Sequence, residues 1–153
     1  MSKLFQALLS GVFFTYFIDF FFFLGIKINY IDFFKIDIYY NILFADAQDI
    51  YIFTFLTLFL GYITIYMRST FIKVFVVGGL FALSASTLIE PIGYSIGEKL
   101  FMKKDITLQD KKHTFIGDIR YIKRDGIVFY DKEIDKQIIL EKSLLNIPKS
   151  LSN

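Results

Sequence analysis

Cysteine is absent from this 153-residue chain. That removes disulfides, thiolate zinc sites and a cysteine nucleophile together. Tryptophan is absent as well, and the single histidine, His113, has no companion ligand or nucleophile beside it in sequence. It reads as a solvated residue at a strand edge, not as a catalytic base. A glycine-rich phosphate loop, a GxSxG elbow and an HExxH pair are all missing. These absences point away from an enzyme and give no reason to expect a cofactor or a metal. A formal net charge of +2 is too small to suggest nucleic acid as a partner.

Charge is the next scarcity. The first 97 residues carry only 5 of the 17 basic and 6 of the 15 acidic residues, so the front is greasy and the rear polar. The chain is 55% hydrophobic with 20 Phe and 10 Tyr, more apolar surface than a soluble domain of this length hides. The expected class is therefore a membrane α-helical protein. Its richness in Phe, Ile, Lys and Tyr suggests an AT-rich bacterial genome, hence a bacterial inner (cell) membrane.

Three segments have the length and apolarity to cross a bilayer, which takes about 20 helical residues. They are residues 4–26, with one charge at Asp19; residues 50–67, with none; and residues 74–97, if the helix runs on through Glu90 and Pro91. The first run is too long for a typical signal-peptide core, and its Phe-rich end offers no cleavage site, so an uncleaved helix is expected. The short link at 67–73 predicts a tight antiparallel hairpin of the second and third spans. Residues 27–49 mix four Asp and two Lys with many aromatics; they read as an interfacial segment in preference to a separately folded loop, with local alternation at 34–38 hinting at extended structure.

From about residue 103 the hydrophobic period changes to two. Residues 115–122, 127–130 and 137–140 read as strands, with a possible fourth at 144–147 before Pro148. Asp125-Gly126 is a hairpin signal, because glycine tolerates positive φ. A small C-terminal β-rich domain over 103–150, a meander curling toward an SH3-like or OB-like barrel, follows the helical region of 1–98. Alone it is expected to be marginal, leaning on the membrane surface, the helices or another copy.

Small and polar residues recur at helical spacing within the spans. Ala7, Gly11, Thr15 and Asp19 step by four; Thr54, Thr57, Gly61, Thr64 and Arg68 by three and four; Gly79, Ala82, Ser86, Glu90, Gly93 and Gly97 likewise, with a GxxxG at Gly93–Gly97. Lipid gives helices no hydrophobic reason to associate, so seams of this kind are expected to face one another and pack. Asp19 and Glu90 fall at similar distances along spans expected to be parallel. An intramembrane carboxylate costs about 3 kcal/mol on insertion scales, so the two form a candidate proton- or cation-handling pair. The blander expectation is that each is protonated or reaches the interface.

Three spans place the termini on opposite sides. Lysine distribution modestly favours a cytoplasmic C-terminal domain, where lysines past Gly97 meet anionic headgroups. The leading expectation is a non-enzymatic multi-pass accessory, scaffold or assembly subunit. Its partners would be the lipid bilayer and another membrane protein or a second copy. The alternative is a proton- or ion-conducting component that uses Asp19 and Glu90.

Overall fold

The structure is a computed structural model that describes residues 2–110 and 113–144. It divides into two compact units, Met1–Ile96 and Gly97–Asn153.

The first unit is helical. α1 (Lys3–Ile26) opens on Ser2, whose hydroxyl accepts the Phe5 N–H, an N-cap that satisfies a donor the first turn leaves open. The chain continues through a π-helical turn, Lys27–Ile31, and closes at Lys35 in the left-handed region with φ 52°. A short helix α2 (Tyr40–Ala47) follows, then α3 (Ile50–Tyr66), capped by Asp49, and α4 (Thr70–Ala85), capped by Ser69. α1 with its π turn and α4 with its final turn are long and apolar enough to cross a membrane. α2 and α3 make a third candidate if this pair, bent by 87°, counts as one span.

Two expectations change. The third span is not one helix over 74–97. α4 stops at Ala85, a 3-10 turn occupies Ser86–Leu88, and α5 (Glu90–Phe101) starts afresh. Pro91 is the cause: it has no N–H for the Thr87 carbonyl, and its ring would clash with that carbonyl in a continuous helix. The tight α3–α4 hairpin is also absent. Both helices pack on α1 and barely touch each other. Residues 27–49 are a folded segment: Leu43 of α2 is fully buried, Tyr40 donates to the Phe20 carbonyl at 2.9 Å, and Phe44 rings against Tyr16 and Phe23.

The second unit carries four antiparallel strands in the order β1-β2-β3-β4: Lys103–Gln109, Thr114–Ile122, Gly126–Asp131 and Lys136–Glu141. Leu108, Ile119, Ile127 and Phe129 form its buried core. Sequence periodicity locates β2, β3 and β4 but misses β1, whose opening Lys103-Lys104-Asp105 hides the alternation. The proposed strand at 144–147 falls on a 3-10 turn at Leu144 and otherwise outside the described residues. Among the described residues the sheet is an open meander with β1 and β4 as edges, not a closed barrel. The first β2–β3 turn sits at residues 123–125, and Gly126 already belongs to β3 without positive φ. The left-handed position falls instead at Asp135, φ 53°, in the next turn.

Bulges break the register within β1 and within β2. At the first, Asp105 adopts φ 55° and donates its N–H to Asp118 Oδ1 at 2.8 Å. Lys132 bridges both carboxylates, at 2.6 Å to Asp105 and 3.0 Å to Asp118. Partial burial pushes the Asp118 carboxyl up, but the Asp105 N–H, Lys132 and Lys104 outweigh it and hold it below the usual carboxylate value. The same two acceptors raise Lys132 above the ordinary lysine value.

Candidate functional site

The small-residue seams of α1 and α3 do meet. A Cβ built on Gly11 would lie 2.0 Å from the Thr57 carbonyl oxygen, and one on Gly61 would lie 2.2 Å from that of Ala7. Backbone therefore rests on backbone, which only glycine permits at these two positions. Ser10 and Thr64 hydroxyls join the helices at 3.0 Å. The pairing of Ala7 with Gly61 and Gly11 with Thr57 makes the helices antiparallel. Two hydroxyls in this seam, Thr15 Oγ1 and Thr57 Oγ1, are buried without a hydrogen-bond partner.

α4 runs parallel to α1 but uses a face other than the one its small residues suggest. Phe81 stacks on Phe17, Ser84 donates to the Ile18 carbonyl, and Thr87 lies beside Phe21 and Phe22. Gly79 and Ala82 are exposed, and a Cβ on Gly78 or Gly79 would meet nothing within 4 Å. The α4 part of the expected third seam, Gly79 and Ala82, thus points outward from α1. Aromatic bulk from Phe17, Phe21 and Phe81 fills the α1–α4 contact, which leaves the small residues elsewhere.

A second polar junction escapes the sequence reading. The Thr87 hydroxyl is within 3.2 Å of the carbonyls of Phe21, Phe22 and Ser84, and its single proton serves one of them at a time. The Thr87 carbonyl, deprived of a helical donor by Pro91, accepts from Asn29 Nδ2 at 2.8 Å. Gly93 fits under this pair: its Cβ would lie 2.1 Å from Thr87 O and 2.8 Å from Asn29 Nδ2. Gly93 of the GxxxG is therefore used inside the unit, and Gly97 is buried. The available signal was Pro91 itself, since a proline within a span demands a substitute donor for the carbonyl four residues earlier.

Asp19 and Glu90 are not brought together. Asp19 Oδ2 accepts from Gln48 Nε2 at 2.8 Å, and the α1–α3 register carries Asp19 to the level of Asp49, the N-cap of α3. Glu90 is exposed at the start of α5, past Thr87, which already packs against Gly25. Asp19 thus belongs to a polar rim with Gln48 and Asp49. No group of three or more His, Cys, Asp or Glu among the described residues is placed to hold a metal ion. His113 is exposed at the β1–β2 turn, where its carbonyl accepts the Asp110 N–H at 2.9 Å. What the geometry assembles is two packing junctions, α1–α3 through glycine and α1–α4–α5 through Thr87. No family model, curated protein or solved structure matches the chain, so these junctions are interpreted on their own chemistry.

Proposed function

We propose that the chain is a membrane-embedded, non-enzymatic assembly subunit whose α4 offers an open face to a partner helix. One observation carries this reading. The outer surface of α4 leaves Phe71, Phe75 and Leu83 78%, 69% and 70% exposed beside the open glycine Gly79. In water such a surface is an aggregation hazard; in lipid the aromatics are solvated and the glycine admits a second backbone. The β unit, cytoplasmic by the lysine distribution, supplies the contact with soluble partners.

The conducting alternative draws less support. Asp19 is bonded to Gln48 beside the start of α3, and Glu90 is exposed at the start of α5.

Tagged protein purified in mild detergent is expected to bring down a stoichiometric membrane partner or a second copy, and Gly79→Ile to lose it, since the added side chain occupies the open face. A chain that emerges alone and conducts ions in vesicles, with conduction abolished by Asp19→Asn, would reject the assembly role.

A further inference from the structure

α3 and α4 diverge from their short connection while both hold to α1, which leaves a cleft of about 440 Å³ lined by Phe14, Thr64, Lys73, Val74, Val77 and Gly78. Its walls are apolar except at Lys73 and Thr64. Thr64 is occupied by Ser10 and by its own helix carbonyls. Lys73 is half-buried, and no carboxylate among the described residues pairs with it.

The charge around that end of the bundle is one-sided. The antiparallel α1–α3 and parallel α1–α4 arrangements gather Lys3, Arg68 and Lys73 at the same end. Residues 3–18 and 50–89 contain no Asp or Glu. A helical lysine side chain leans toward the N-terminus of its helix, and a long basic side chain beside apolar surface keeps its head at the polar boundary. The cleft therefore has a hydrocarbon-compatible body and a cationic mouth with no counter-ion among the described residues.

We infer that this cleft binds one anionic phospholipid, its phosphate paired with Lys73 and Arg68 and an acyl chain lying along Phe14, Val77 and Gly78. The assignment rests on the membrane reading above and on charge complementarity. A zwitterionic lipid would bring its own cation to the same mouth. A protein helix would be a poor occupant, because it offers no anion at the mouth unless it carries an intramembrane carboxylate, which is costly.

The test is native mass spectrometry of the full chain released from micelles containing equal phosphatidylglycerol and phosphatidylcholine. Wild type is expected to retain phosphatidylglycerol preferentially, and Lys73→Gln to lower that retention about fivefold, with a similar further loss for Arg68→Gln. Gly78→Leu keeps every charge and has open space in which to fold; it is expected to reduce retention by filling the cleft. Equal retention of the two lipids, or retention unchanged by Lys73→Gln and by Gly78→Leu, overturns the assignment. Alkaline carbonate extraction separates the two failures. A chain that leaves the membrane defeats the membrane reading and this inference with it; one that stays but shows no lipid preference defeats only the inference.

Discussion

Replacing Gly11 by alanine tests whether the α1–α3 contact is set by backbone approach. The new Cβ would start 2.0 Å from the Thr57 carbonyl oxygen, whereas ordinary contact begins near 3.4 Å, so the helices must part by more than about 1 Å. A gap of 0.5–1 Å already forfeits about a quarter to a half of each dispersion contact. Gly11→Ala should therefore cost about 1–3 kcal/mol, less the gain in helix propensity of up to about 1 kcal/mol. Gly61→Ala, aimed at the Ala7 carbonyl at 2.2 Å, should behave alike. Because both act on one interface, the double variant should cost less than the sum, the first substitution having already moved the helices. Gly79→Ala meets nothing and should be neutral or slightly stabilising. The lack of native cysteine makes the readout clean. Cysteines placed at Ser10 and Thr64, whose hydroxyls are 3.0 Å apart, should form a disulfide on mild oxidation in the parent. They should do so more slowly with Gly11→Ala, in parallel with a lower unfolding midpoint in detergent. If Gly11→Ala cross-links and unfolds like Gly79→Ala, the glycine contact is not what joins these helices.

Two further outcomes follow from the polar groups. Asn29→Ala strands the Thr87 carbonyl and should destabilise the helical unit by about 1–3 kcal/mol, more than Thr87→Val, which removes only a shared donor worth about 1 kcal/mol; detergent unfolding that ranks them in reverse would contradict the role given to Asn29. In the β unit, the lowered Asp118 carboxyl contributes stability that is complete above its unfolded value, about 3.9, and is lost as pH falls through the folded value. Lys132, raised, contributes stability lost only as pH climbs past the ordinary lysine range, so between these limits the pair adds no pH dependence. Tyrosine fluorescence during acid titration should show Asp118→Asn with a weaker acid limb than wild type; coincident limbs would dismiss the Asp105–Asp118–Lys132 bridge as a source of stability.

Much of the architecture was legible because composition and period are local properties. Long, almost uncharged apolar runs mark α1, α3 and α4 wherever they pack, and alternation marks β2 to β4. The α1–α3 seam was readable for the same reason: Gly11, Thr57 and Gly61 fall on single helical faces by spacing alone. β1 was hidden because a bulge at Asp105 interrupts its period, and the bulge is held by Asp118 of β2 and Lys132 of the β3–β4 turn.

Which helix faces which is a different kind of fact, decided only by the tertiary structure. Gly79 and Ala82 lie on as good a small-residue stripe as Gly11 does, yet they face away from α1, because Phe17 and Phe21 of α1 stack against Phe81 on another face of α4. The apparent pairing of Asp19 with Glu90 rested on counting residues along unbroken helices. Pro91 breaks the helix before Glu90, and Gln48 arrives from a distant segment to take Asp19. Spacing along one helix determines which side chains share a face; only the sum of contacts across the bundle determines what that face meets.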